Sequence, residues 1–552
     1  MSTATEESTA VLPAPSPSAP PAVASTMAAA ATAAIQGRWF ILAGLITAAI
    51  MEVLDTTIVN VALPQMAGNL GATREEVAWV ATSYILANVI VLPMTAFFTE
   101  RFGRKRYLTF SIILFIAASV LCGTATTLGQ LVLWRLLQGA GGAALLSTAQ
   151  ATLRQIFPRE EQGMVQAIFL LGIIVAPTLG PTLGGYITDN ASWHWCFFIN
   201  LPIGIVSAFL VMTFLDDPPH QQLKTGSIDW FGIALLVVGV GSLQYVLEEG
   251  NIKDWFNSRL IVYLSIVSAI ASSILLWWQM SSRNTHPVVQ LRVLRNRDLA
   301  ASILLFVVLG FGLYGGVLIF PLFTQSILGF SPTQTGLAMM PGGLATAAMA
   351  LVCGRLLTGA KPLVDPRALI LGGMGLMLVA MWTLGHLSTS AGEADARYAL
   401  IIRGLGLGLL FTPINNVAFG SLKPEEAQQA SGLINLARQL GGSFGIAVLG
   451  AYLTRHIAYH RADLVQNMYP GNPMFAERFD GLIGAFSAQG FSLADAQQRA
   501  LAVLDGTMMR QAAMQAYNDA WLLLLVSFIC VVPAVFLLRK PGRAQGAPAD
   551  AH

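Results

Sequence analysis

Hydrophobic positions along this chain gather into runs of about twenty residues, separated for the most part by short polar connections. A helix rising about 1.5 Å per residue needs a run of that length to cross about 30 Å of hydrocarbon. Fourteen such runs occur, at about 39–62, 77–98, 108–127, 131–152, 163–185, 195–215, 230–248, 260–279, 300–323, 333–354, 368–386, 398–420, 429–452 and 520–538. An even count places both ends of the chain on one face. Basic residues in the connections test this independently, because cytoplasmic loops collect Lys and Arg. Connections on the terminal side carry nineteen, including Arg38, Arg101, Arg104, Lys105 and Arg106; the six short connections opposite carry four, Arg74, Lys253, Arg259 and Arg397. The pattern predicts an all-α polytopic membrane protein with both termini cytoplasmic.

Composition sharpens this picture. With 55% hydrophobic and 11% charged residues and a mean hydropathy of +0.64, the chain lies outside the soluble globular class. Its net charge of +2 points to no nucleic-acid partner; the lipid bilayer is the expected one. Residues 1–38 include a Pro/Ala/Ser stretch, "LPAPSPSAPPAVAST", and have no basic n-region, so they read as a disordered cytoplasmic tail rather than a signal peptide. Residues 539–552 read as a second tail. Cys122, Cys196, Cys353 and Cys530 show no CxxC spacing and read as small apolar residues. The histidines fall mostly in connections, with neither HExxH nor another paired-ligand spacing, and no Gly-rich phosphate loop with Lys occurs. No metal, no cofactor, no ATP drive and no enzymatic constellation are therefore expected.

Arg135 heads the fourth run and Arg403 the twelfth, each followed by alternating glycines. Such an echo points to an internal repeat. Runs 1–6 and 9–14 then form two six-helix bundles, at 39–215 and 300–538, with the pair at 216–299 inserted between them. Repeated halves about a midplane site are the common build of secondary transporters.

Charged residues inside the runs are the candidate chemistry. An ionised carboxylate near midplane costs about 2.5–3.5 kcal/mol on insertion scales. Glu52 and Asp55 are two of them, three residues apart and so on one face of the first helix. Asp55 and Arg135 fall at compatible depths in the outer half of the membrane, where an Arg needs a partner or a cavity. Glu52, Asp55 and Arg135 are the expected proton-coupling group; the alternative is a pair locked for stability alone. Asn60, Gln138, Tyr314, Gln325, Asn415 and Asn416 are candidate cavity-lining residues, as are Asn435 and Arg438, although interhelical hydrogen bonds account equally well for any one of them.

Several stretches carry a family resemblance. "LDTTIVNVALP" (54–64), "RLLQGAGGA" (135–143), "GIIVAPTLGPTLGG" (172–185), "WHWCFFINLPIG" (193–204) and "MRQAAMQAYNDAWLLL" (509–524) resemble, in order, motifs of the fourteen-helix drug:proton antiporters of the major facilitator superfamily, EmrB/QacA type. The likeness runs from about residue 38 to 541. It implies a major facilitator fold, no cofactor, and proton-coupled export of amphipathic small molecules from the inner membrane by alternating access. The closer rival within transport is a dedicated exporter of one metabolite, siderophore, toxin or fatty acid. In "AFFTERFGRKR" (96–106), Gly103, Arg104 and Lys105 follow the superfamily's gating pattern, while Ala96 replaces its Gly and Glu100 its Asp. These basic residues also read as topology-setting charge.

In the fifth-helix motif, Gly172, Pro177, Gly180, Pro181, Gly184 and Gly185 remove hydrogen bonds and bulk. They predict a bent helix at a moving seam between bundles, with ordinary tight packing as the alternative. Ser331, Pro332 and Gln334 predict a capping box that starts the tenth span. Residues 453–519 form the one long connection, containing a surface helix from Ser492 toward the last span. In Gram-negative relatives the pump works with a periplasmic adaptor and an outer-membrane channel, and this connection is the expected docking surface.

Overall fold

The computed structural model describes residues 21–158, 161–217, 227–357, 363–423 and 426–538. In chain order its helices are α1 (Pro21–Leu70), α2 (Arg74–Val91), α3 (Arg104–Gly123), α4 (Leu128–Ile156), α5 (Gln162–Asn190), α6 (Asn200–Phe214), α7 (Trp230–Glu249), α8 (Arg259–Met280), α9 (Arg297–Ser326), α10 (Pro332–Leu357), α11 (Pro366–Leu384), α12 (Glu393–Gly420), α13 (Ala427–Val465), α14 (Pro473–Ala488) and α15 (Leu493–Leu537). A 3₁₀ turn, Leu92–Met94, and a short helix, Thr95–Phe102, prolong α2, and a one-turn helix, Trp195–Phe198, leads into α6. Among the described residues eleven spans are long and apolar enough to cross a bilayer. Of the three remaining long helices, α4 and α13 are too polar for that measure because they bury Arg135, Gln138 and Gln150, or Gln428, Gln429 and Asn435. Within α5 the side chains at 174–175, 177–179 and 181–182, among them Pro177 and Pro181, lie outside the described residues.

Side-chain caps start several helices where the sequence places them. Thr73 closes a capping box with Glu76, and Ser331 closes one with Gln334: Gln334 N–H donates to Ser331 Oγ at 3.2 Å and Ser331 N–H to Gln334 Oε1 at 2.9 Å. Asp495 N–H donates to Ser492 Oγ at 3.2 Å, opening α15.

The packing repeats. In the first bundle α1 packs on α4, α5 and α6, while α3 packs on α4 and α6 and α2 on α4. In the second, α9 packs on α12, α13 and α15, while α11 packs on α12 and α15 and α10 on α12. Glycine makes both sets possible. A Cβ on Gly139 of α4 would collide with the Tyr84 carbonyl of α2, and one on Gly404 of α12 with the Gly342 carbonyl of α10. The α7–α8 pair stands outside both bundles, with α7 against α2 and α13. The fold is thus two six-helix bundles plus two inserted helices.

Two expectations are corrected. Helix α1 begins at Pro21, so residues 21–38 are not a disordered tail; their Ala-rich sequence has high intrinsic helicity. Residues 1–20 and 539–552 lie outside the described residues. In the connection 453–519 the expected helix from Ser492 is present as the start of α15 at Leu493, but α13 also runs on to Val465 and α14 lies between them, so the connection is mostly helical. Runs of polar residues with helical propensity do not announce where the bilayer ends.

The fifth-helix glycines also face a different neighbour from the one expected. A Cβ on Gly172 would stand 2.8 Å from Ile46 Cγ2, one on Gly184 2.8 Å from the Ile58 carbonyl, and one on Gly180 would overlap Thr57 Oγ1. Gly185 is looser, 4.0 Å from Val61. All four point at α1, inside the first bundle. The inter-bundle neighbour of α5 is α10. These four glycines therefore seat α1, and with it Glu52 and Asp55.

Candidate functional site

The buried charges of the first bundle assemble around one carboxylate. Asp55 on α1 and Arg135 on α4 are 0% and 1% exposed, and Arg135 Nη1 lies 2.6 Å from Asp55 Oδ2. Asp55 Oδ1 accepts from Gln138 Nε2 at 2.9 Å and from Asn200 Nδ2, at the start of α6, at 2.8 Å. Arg135 also donates to Gln138 Oε1 at 2.7 Å and, through Nε, to the Val80 carbonyl of α2 at 2.9 Å. Its guanidinium lies over the Tyr84 ring, 4.2 Å from the centroid. Three side-chain donors hold Asp55, one on Oδ2 and two on Oδ1, filling three of the roughly four acceptor sites of a carboxylate. Removing two charges from water costs several kcal/mol per ion, so such a pair persists only when its remaining bonds are filled, as they are here.

Glu52 is set apart from this pair. It is 7% exposed, accepting from Asn88 Nδ2 of α2 at 3.3 Å and from the Leu146 backbone N–H in mid-α4 at 3.1 Å. Arg438 of α13 acts on it electrostatically from the second bundle.

The repeat is not chemically symmetric. Arg403, the counterpart of Arg135, donates to the Gly312 and Leu313 carbonyls of α9 at 3.3 and 3.1 Å. A Cβ on Gly316 of α9 would overlap its guanidinium. No carboxylate pairs with Arg403 among the described residues.

Polar bonds close the two bundles together on the face of the basic connections. Gln150 of α4 donates to Asn415 Oδ1 at 2.6 Å and accepts from Asn435 Nδ2 at 3.1 Å. Ser431 Oγ donates to the Ser147 carbonyl at 2.7 Å, Gln428 to Thr148 at 3.1 Å, Gln429 to Glu100 at 2.8 Å and Arg154 to Asn416 at 3.3 Å. The residual cavity beside them, lined by Phe306, Phe411, Asn415, Asn435 and Arg438, measures about 10 Å³, room for about one water. This arrangement has one side of the seam shut.

The Gly103 motif locks the neighbouring loop. Gly103 has φ +89°, and a Cβ there would stand 2.8 Å from Asp217 Oδ2, so glycine is required twice over. Arg104 donates to Gln155 Oε1 at 2.6 Å and to the Asp216 carbonyl at 2.7 Å; Lys105 Nζ lies 3.1 Å from Asp216 Oδ1. These basic residues thus clasp the end of their own bundle, while Glu100 reaches the second bundle through Gln429.

Of the expected cavity residues, Asn60 and Gln325 are exposed. Gln138 belongs to the Asp55 cluster, Asn415 and Asn416 to the polar closure, and half-buried Tyr314 packs against Gly442. Asn200, Tyr84 and Gln150 were not anticipated; Asn200 stood as a lone amide in the apolar "FFINLP" stretch, which was its available signal. The expected lack of paired histidines fails at "HIAYH": His456 and His460 stand four apart on α13. Cys530, expected to be buried, is exposed.

Two repeated helical bundles, meeting along a seam and burying a carboxylate–guanidinium pair in one of them, define a polytopic membrane transporter. The Major Facilitator Superfamily profile matches residues 45–446, and the chain belongs to that family. It is 30% identical over 506 residues to "Multidrug export protein EmrB" of Escherichia coli (strain K12), covering 92% of this chain and 96% of that one. It is 32% identical over 500 residues to "Fatty acid resistance protein FarB" of Neisseria gonorrhoeae, covering 90% and 96%. Among solved structures, the major facilitator proton:xylose symporter XylE superposes with a TM-score of 0.56 at 13% identity, over 90% of this chain and 96% of that one, a likeness of fold.

Proposed function

We propose that this protein is a proton-coupled multidrug efflux transporter of the inner membrane, exporting amphipathic or lipophilic molecules by alternating access, with both termini cytoplasmic. The observation that carries the reading is Asp55, sealed by Arg135, Gln138 and Asn200 at the heart of the first bundle. Family membership and the likeness to multidrug export proteins support it. Protonation of Asp55 would remove the charge that holds the Arg135 guanidinium, so proton uptake loosens α1 from α4. That is the two-state element a gradient needs to bias. Each pH unit contributes about 1.4 kcal/mol per proton, and 100 mV about 2.3 more if the charge crosses the membrane. Glu52, closer to the second bundle, is the proposed site for a substrate's positive charge.

With its basic face closed by the Gln150, Ser431 and Gln429 bonds, the structure corresponds in this reading to a state shut toward the cytoplasm. Substrate entry from the cytoplasm or inner leaflet then requires those bonds to break. Breadth of substrate distinguishes this reading from a dedicated exporter, the alternative that the name of the fatty-acid resistance relative keeps in view. Deleting the gene should sensitise cells to several unrelated lipophilic cations and uncouplers, and overexpression should protect against the same set. Sensitivity to a single compound would favour the dedicated exporter.

Topology has its own test. In a protein whose exposed Cys530 is replaced by Ser, a cysteine at the exposed Tyr469 should react with an impermeant maleimide in intact cells, and one at the exposed Ser282 should react only after permeabilisation. Equal labelling of both would contradict the assignment of faces.

The helical hairpin from the end of α13 through α14 to α15 is the proposed docking surface for a periplasmic adaptor that leads to an outer-membrane channel. Helix α14 has no buried residue among those described, and Met474 on it and Leu493 opening α15 are 80% and 64% exposed. Deleting residues 466–490 should reduce resistance in cells while leaving proton-driven uptake into inside-out vesicles intact. Equal loss in both assays would make the hairpin part of the transporter's own mechanism.

A further inference from the structure

Where α13 and α15 leave the bilayer on the face opposite the basic connections, three metal-ligating side chains converge. His456 and His460 lie four residues apart, on one side of α13, and Asp519 faces them from α15. Asp519 Oδ2 lies 3.2 Å from His456 Nδ1 and 2.7 Å from His460 Nε2, and the potential ligand atoms all fall within 4.8 Å of one another. Tyr452 stacks on the His456 ring, with centroids 3.7 Å apart, fixing its plane. The side chains are 33%, 18% and 33% exposed, so a hydrated ion can reach them.

We infer that His456, His460 and Asp519 form a binding site for a borderline divalent transition-metal ion, of which Zn²⁺ is the leading case. Two imidazoles and one carboxylate are the donor set such ions favour. Metal–ligand bonds of about 2.0–2.2 Å in a tetrahedron separate ligand atoms by about 3.3–3.6 Å, so an outward shift of Asp519 and side-chain adjustment of the two imidazoles, whose atoms all lie within 4.8 Å, would admit the ion. Three protein ligands leave one position for water. Because α13 and α15 both belong to the second bundle, the ion staples the base of the projecting hairpin without crossing the seam between bundles. It braces the outer cap and does not arrest alternating access.

The test is metal titration of the purified full-length protein, carrying a tag without histidine. Wild type should bind one Zn²⁺ per chain at micromolar concentration, and Co²⁺ should give the visible absorption of a tetrahedral site. His460→Ala and Asp519→Asn should each weaken binding at least tenfold, whereas His386→Ala should not. His460→Cys supplies a gain of signal that does not depend on loss of fold: Co²⁺ should produce a thiolate charge-transfer band, with Cys530 replaced by Ser as background. Absence of stoichiometric binding by wild type, unchanged affinity in the two weakened variants, or no thiolate band in the cysteine variant would leave the three side chains as a metal-free hydrogen-bonded brace and overturn the inference.

Discussion

In proteoliposomes with an imposed pH gradient, Asp55→Asn should abolish uphill drug accumulation while leaving downhill exchange of drug across the membrane measurable. The amide keeps the size of the side chain and still accepts from Asn200 or Gln138, but it cannot take up and release a proton. It also leaves the Arg135 guanidinium buried without its counter-ion, so the variant's bundle is biased in its conformation as well. Glu52→Gln provides the contrast: gradient-driven transport of neutral substrates should survive, and apparent affinity for cationic ones should fall about tenfold, the worth of about 1.4 kcal/mol in a partly desolvated charge contact. If Glu52→Gln instead removes all gradient coupling and Asp55→Asn removes none, the two carboxylates have exchanged roles.

The second large effect is expected at Arg135. Truncation to Ala strips Asp55 of its short contact and Gln138 of its donor, leaving an acid at 0% exposure with only two neutral amides. Breaking a buried pair from one side costs about 3–5 kcal/mol. Arg135→Ala should insert into the membrane, export nothing, and melt many degrees below wild type in detergent. Arg135→Lys should retain a remnant of transport, because an ammonium keeps the charge but cannot serve Asp55, Gln138 and the Val80 carbonyl through a planar fork. Combining Asp55→Asn with Arg135→Gln removes both charges at once, so this inactive double variant should recover much of the lost melting temperature. A double variant no more stable than Arg135→Ala would mean that the cost lies in packing against Tyr84 and Phe197, not in the ion pair.

What the sequence made legible was whatever bilayer physics enforces. Apolar run length marked the helices, because unsatisfied backbone groups are intolerable in hydrocarbon. Arg135 and Asp55 could be matched by depth alone, since few partners are available to a guanidinium there. The Ser331–Gln334 box was readable because its bonds are local. Side-chain direction was not legible. Asn60 lies five residues past Asp55 yet is exposed, and Gln138 joins the acid instead of the cavity. Both outcomes depend on helix rotation, set by neighbours such as the α5 glycines. Those glycines advertised close approach but not to whom, and the answer was α1. The bonds of Gln150 and Ser431 link residues separated by hundreds of positions, so composition gives no hint of the pairing. On the far face, where water can satisfy backbone and side chains alike, the sequence marked the helix that starts after Ser492, but nothing separated α14, the extension of α13 or the His456–His460 pair from a solvated loop.

In the proposed cycle a proton leaves the Asp55 cluster when drug binds. The direct measurement is drug-induced proton release from lightly buffered, purified protein, read with a pH-sensitive dye at a pH near neutrality, for wild type and for Asp55→Asn. Wild type should release protons to a level that saturates with drug concentration, and Asp55→Asn none even at drug concentrations that fill its site. Undiminished release from Asp55→Asn would show that the proton travels by another residue and would contradict the account.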